Sequence, residues 1–188
     1  MRTYESKYAY PKHDEMVVNL LEHYEQCDHD DLATGVRWYS DTRRYARLLA
    51  TEHGGGVGRA AGIIAALSPQ IQWERNKLLA AEVMCDGRVT GQSRANVLKS
   101  LRIYDGERPL SVLGGPKVRA FYRAIMGDED AAVLDGWMSR ALGRPVAFFS
   151  ARQYERCAAA LREAASYTSL TTAQFQAVVW THVRGGGE

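Results

Sequence analysis

The sequence is poor in what would build a β-protein, a membrane protein or a disulfide scaffold. Within its 188 residues no stretch alternates apolar and polar positions long enough to read as a strand of weight. No apolar run approaches the roughly 20 residues that a membrane-spanning helix needs. The opening MRTYESKYAYPKHDE also lacks an apolar core of signal-peptide length. Three cysteines, Cys27, Cys85 and Cys157, are odd in number and far apart, which argues against a disulfide framework and for a reducing compartment. They also cannot supply the closely spaced four-cysteine set of an iron–sulfur cluster. A formal net charge of +2 does not announce nucleic acid by itself, so any basic surface has to be local. The expectation is a cytoplasmic chain without a membrane segment, and neither an internal repeat nor a linker divides it.

What is present is helical periodicity. With 46% apolar residues the chain is long enough to bury a real core. Met16, Val17, Leu20, Leu21 and Tyr24 mark one amphipathic helix after an irregular arm that holds Tyr4, Tyr8 and Tyr10. A second helix carries Val36, Trp38, Tyr39, Tyr45, Leu48 and Leu49 and stops at His53 before three glycines. Between the two, CDHDDLATG invites a metal reading, but Asp28 and Asp30 are good helix N-caps and acids suit a first turn, so capping is the preferred reading. HGGGVGRAAG lacks the Gly-Lys-Ser/Thr ending of a phosphate-binding loop and no strand precedes it, so it reads as a helix end followed by a new start.

From Arg59 to Leu67 the chain is Ala-rich and apolar, which predicts a helix buried on most sides and ended at Pro69. A polar corner follows, with Ser68, Gln70, Gln72, Trp73 and Asn76, before a helix through Leu78, Leu79 and Val83. Ser93 caps a helix with Arg94, Lys99 and Arg102 on its polar face. After Pro145 and two Phe residues, Ser150 caps a helix through Tyr154, Cys157 and Leu161. Thr171 and Gln174 form a capping box for a last helix that holds Phe175, Val178 and Val179, with His182 a candidate for the same face and RGGGE as a frayed tail.

The stretch from Pro109 to Leu142 organises the rest. It reads as a short helix, a Gly114-Gly115 turn, a helix that opens at Pro116, and a loop that delivers Asp135 to the start of another helix. Val118, Phe121, Tyr122 and Ile125 share one face of the middle helix, and Lys117 sits in its first turn, where backbone N–H groups can point at an anion. The sum is an all-α protein of roughly eight to ten helices. It forms a single domain with two lobes, one over about 58–135 and the other built from 14–53 and 136–184.

The order of these elements resembles the helix-hairpin-helix superfamily of base-excision DNA glycosylases, of which endonuclease III is the familiar member. In that family an apolar helix ends in a Leu-Ser-x-Gln corner, matched by Leu67, Ser68 and Gln70. A glycine hairpin follows, then a lysine in bifunctional members and an aspartate that opens a later helix. Lys117 and Asp135, 18 residues apart, stand in those places, and Arg140 follows as an arginine does in many relatives. The hairpin itself reads Val-Leu-Gly-Gly-Pro. A group of small phage proteins with an LSPQ…W…N pattern and a C-terminal QA…W…R is similar too, through Gln176, Ala177, Trp180 and Arg184, and some of its members are ascribed a part in thymine hypermodification.

The resemblance implies a bundle without an iron–sulfur cluster, metal or cofactor that binds double-stranded DNA, flips a damaged or modified base and excises it. Asp135 would stabilise the positive charge that develops on the deoxyribose. Lys117, as a neutral amine, would attack C1′ in an abasic-site lyase step. Gln70 would fill the gap left by the base, with Trp73 or Tyr122 stacking. Gly114, Gly115 and Lys117 would hold phosphate, and Arg119, Arg123 and Arg140, with Arg94, Lys99 and Arg102, would supply salt-dependent attraction. Two alternatives stand beside this: a catalytically inert DNA-binding or interaction protein of the phage type, and a base-hypermodification enzyme.

Overall fold

A computed structural model describes residues 11–144 and 150–185. The expected N-terminal arm, the Pro145 turn with its two Phe residues, and the end of the glycine tail lie outside the described residues. Within them the chain is all-helical and without strands. The ten helices are α1 (His13–Glu25), α2 (His29–His53), α3 (Gly56–Leu67), α4 (Trp73–Asp86), α5 (Arg94–Tyr104), α6 (Pro109–Val112), α7 (Pro116–Met126), α8 (Gly136–Ala141), α9 (Ala151–Ser166) and α10 (Thr172–Arg184). None of them is long and apolar enough to cross a membrane.

The helices begin where side chains satisfy the first free backbone donors. Asp28 Oδ1 accepts from the N–H groups of Asp30 and Asp31, both at 2.8 Å, and so starts α2. Ser93 accepts from Asn96, Ser150 from Gln153 and Thr171 from Gln174, the last two as reciprocal capping boxes. Proline stands at the first position of both α6 and α7. Gly54, Gly55 and Gly56, all with φ near +80°, turn the chain from α2 into α3.

The backbone packs as two units, and the division falls inside α2. Among the described residues, one comprises 11–38 together with 132–144 and 150–185; the other is Tyr39–Ala131. The lobe boundary expected at the glycine turn after His53 is therefore displaced into the helix before it.

In the first unit α1 packs on α9 and α10, α8 on α10 and α1, and α10 on α9. Met16, Leu20, Met138, Leu142, Leu161, Phe175 and Val179 form its core. Gly35 of α2 lies in contact with α10 so closely that a Cβ there would stand 2.4 Å from the Val178 Cα. The second unit is organised on α3, whose residues Ala60 to Leu67 are all buried. Helices α4, α5, α6 and α7 each pack against it. Small residues allow this crowding, and a Cβ on Gly62 would come within 2.7 Å of the Pro109 ring.

Gly35 gives the packing a test of sign. Intrinsic propensity favours alanine over glycine in a helix interior by about 0.5–1 kcal/mol. The approach to Val178 opposes it, because overpacking a tight contact costs about 1–3 kcal/mol. Gly35→Ala should lower the urea midpoint of unfolding; a midpoint that stays or rises would show that α2 and α10 are not in this contact.

Candidate functional site

Asp135 stands at the N-cap of α8. Its Oδ1 accepts from the backbone N–H groups of Trp137 at 2.9 Å and Met138 at 3.0 Å. Its Oδ2 accepts from the indole Nε1 of Trp180 at 2.9 Å. Three donors thus fix the orientation of a half-buried carboxylate, one of them from a side chain 45 residues further along the sequence. Trp180 is itself held between neighbours: the Trp38 ring lies 5.0 Å away and the Arg184 guanidinium 4.7 Å above it. The expected C-terminal Trp180 and Arg184 therefore belong to the surroundings of Asp135.

The segment that leads into Asp135 is fixed in the same way. The Tyr154 hydroxyl donates to the Ala132 carbonyl and accepts from the Leu134 N–H. Burial pushes this phenol up to about 12, so it remains a donor at neutral pH. Arg140 is exposed, with its guanidinium 4.4 Å over the Trp137 ring of the same short helix.

In the other unit the corner after α3 is cross-braced. Gln92 Nε2 donates to the carbonyls of Leu67 at 2.7 Å and Pro69 at 3.1 Å. The Ser68 hydroxyl donates to Ala65, and buried Asn76 donates to the Ile64 carbonyl at 3.2 Å. Gln70 projects from this brace, exposed, with φ of 59°. Among the described residues it is the one non-glycine with positive φ. A non-glycine residue held in that sparsely populated region costs of order 1–3 kcal/mol and persists only where the surroundings enforce it. Trp73, half-buried at the start of α4, meets the Tyr45 ring edge-on at 6.4 Å, and Lys77 Nζ lies 5.8 Å from its ring.

The Gly114-Gly115 turn is exposed, and Gly115 combines φ 75° with ψ 145°, a conformation left essentially to glycine. No side chain caps the N-terminus of α7. Cations gather at the turn: Lys99 Nζ lies 3.8 Å from where a Cβ on Gly114 would stand, and Arg119 Nη1 donates to the Leu113 carbonyl at 3.4 Å. Lys117 follows in the first turn of α7, half-buried, with Nζ 5.9 Å from the Phe121 ring. Arg123 is exposed on the same helix. Tyr122 lies along α3, its hydroxyl 3.5 Å from where a Cβ on Gly58 would stand, and burial raises its pKa. Arg102 donates to Glu107 through two hydrogen bonds of 2.6 Å.

One constellation joins two residues of the CDHDDLATG run, read from sequence as capping, to a partner far along the chain. Cys27 between α1 and α2, Asp31 in the first turn of α2 and His182 in the last turn of α10 come together, with His182 Nδ1 3.1 Å from Asp31 Oδ2. His29, adjacent in sequence to the same acids, is instead almost fully exposed beside Asp30. Burial, with Asp31 and Asp28 adding to it, pushes the Cys27 thiol up to about 12, so it is not an activated nucleophile. Burial and the neighbouring His182 lower the pKa of His23.

Residues 3–187 match a family of unknown function, DUF7178, and the chain belongs to that family. No curated protein and no solved structure matches it.

Tyr154 tests how the approach to Asp135 is held. Tyr154→Phe leaves the buried Leu134 N–H and Ala132 carbonyl without their side-chain partner, at a cost of about 2–4 kcal/mol. Urea unfolding should report that loss; a variant as stable as the parent would mean that the hydroxyl does not fix the segment.

Proposed function

We propose that the chain is a DNA-binding protein of the helix-hairpin-helix glycosylase type, which turns a damaged or modified base out of a duplex and cleaves its N-glycosidic bond. The observation that carries the reading is Gln70, an exposed amide held at positive φ on a corner braced by Gln92, Ser68 and Asn76. Strain of this kind collects at functional positions. An amide on a rigid corner can enter a base stack without itself collapsing, which offsets part of the few kcal/mol that base extrusion costs.

Further support comes from the α6–α7 hairpin in the same unit. Its uncapped helix start, its glycines and the cations Lys99, Lys117 and Arg119 suit a backbone phosphate. The chemical step needs a carboxylate fixed before the reaction, because cleavage builds positive charge on the sugar and a preorganised anion lowers that barrier without reorganising. Asp135, held by three donors, has that character. Lys117 carries the lyase part: its neutral amine adds to the C1′ aldehyde of an abasic site, the C1′ oxygen leaves as water, and the resulting imine is reducible by borohydride.

These roles separate in experiment. Duplex affinity should fall steeply with salt, by a slope of about −0.9 per phosphate contacted. Gln70→Ala should weaken binding to a duplex with an abasic-site analogue more than binding to intact duplex. Borohydride should trap wild type on abasic DNA, and Lys117→Ala should not be trapped. Salt-insensitive or absent duplex binding would overturn the DNA-binding reading. Duplex binding without trapping by wild type would remove the lyase step alone.

A further inference from the structure

The geometry points to a divalent metal site of the zinc class at Cys27, Asp31 and His182, independent of the proposed glycosylase chemistry. A Cys27 Sγ, an Asp31 carboxylate oxygen and a His182 ring nitrogen all lie within 4.8 Å of one another. In a tetrahedral site with metal–ligand distances of about 2.0–2.3 Å, neighbouring ligand atoms stand roughly 3.3–3.7 Å apart. Asp31 and His182, at 3.1 Å, stand slightly closer than that spacing, and the sulfur lies within 4.8 Å of both, so small side-chain adjustments would bring all three onto one ion.

The donor set selects the metal. Thiolate, imidazole and one carboxylate together suit a borderline ion such as Zn²⁺, whereas Mg²⁺ and Ca²⁺ prefer oxygen ligands. Two of the residues come from one stretch, the α1–α2 connection and the first turn of α2, and the third from the last turn of α10. Asp31 is buried, with 7% of its surface exposed, and its second role as an acid in the first turn of α2 holds it in place.

His23 gives an independent observation at the same place. Its Nδ1 is buried and has no hydrogen-bond partner among the described residues. Its ring centroid lies 5.9 Å from that of His182, against about 5.2 Å for two imidazoles on one tetrahedral ion. The Cys27 thiol donates to the His23 carbonyl and Asp31 pairs with His182, but neither contact satisfies this buried nitrogen. A bound ion would give the three donors a common partner, with the His23 ring beside it as a candidate fourth ligand.

Binding is a ligand exchange without redox change. The Cys27 S–H bond breaks, its proton goes to solvent and the sulfur bonds the ion. The hydrogen bond between His182 and Asp31 gives way to one nitrogen–metal and one oxygen–metal bond, and the imidazole proton moves to the other ring nitrogen. One proton is therefore released per ion bound.

The test uses full-length protein stripped with chelator and titrated with Zn²⁺ against a chromophoric chelator, and with Co²⁺ followed by absorption. One equivalent should bind, release one proton and give with Co²⁺ a thiolate charge-transfer band. Cys27→Ser and His182→Gln should each weaken binding by more than ~10²-fold, since losing a partner of a ligand alone costs 10–100-fold. Cys27→Ser is near-isosteric and should unfold at the temperature of the stripped parent, which separates lost binding from lost folding. The exposed His29→Gln should bind as the parent does. No stoichiometric binding by the parent, or a cobalt–thiolate band that survives in Cys27→Ser, would overturn the site.

Discussion

One crowded helix sets the geometry of the Tyr39–Ala131 unit. Four helices reach α3 because five of its eight buried positions from Ala60 to Leu67 are alanine or glycine. Gly62 admits the Pro109 ring against the helix backbone, and so sets where α6 begins and where the glycine turn after it emerges. At the other end of the same helix Asn76 and Gln92 bond back to its last carbonyls and to Pro69. The corner that presents Gln70 is thus fixed by the helix on which the hairpin packs. A larger residue at any of these small positions would move both elements, because close-packed interiors transmit strain.

In the other unit the recurring device is a polar side chain recruited from far along the chain. Trp180 reaches Asp135, and Tyr154 holds the backbone of Ala132 and Leu134. His182 meets Asp31 across 151 residues. Helix α10 supplies two of these partners, Trp180 and His182, while its apolar face, through Phe175 and Val179, forms part of the core. Packing and polar placement are therefore one problem in this unit. Gly35, pressed against Val178, belongs to the same arrangement because it lets α2 approach α10.

Helix periodicity and capping make most of the architecture legible in the sequence. Asp28, Ser93, Asp135, Ser150 and Thr171 all cap the helices that their sequence positions announce. Each is a local signal, settled within three or four residues. Tertiary partners are not legible in this way. Nothing near Trp180 in sequence indicates that its indole is aimed at Asp135, and the CDHDDLATG run offers His29 where space instead supplies His182. Arg102 reads as a solvated cation, yet Glu107, five residues on, holds it. The φ of Gln70 has no sequence signal either, since glutamine carries no preference for the left-handed region. The unit boundary inside α2 leaves no trace in composition, because a continuous helix gives none.

The central claim is that the carboxylate of Asp135 acts on a nucleoside and does more than cap α8. It is tested most directly by mass-spectrometric detection of free base from duplexes that carry uracil, oxidised, alkylated or hydroxymethylated bases. The parent and Asp135→Asn are compared, with duplex affinity and unfolding measured on the same samples. Asparagine caps a helix about as well as aspartate. The account predicts that the parent releases base and that the variant stays folded, still binds duplex and loses release by at least about 10²-fold. Equal release by the two proteins, or none from any duplex by the parent, would contradict it.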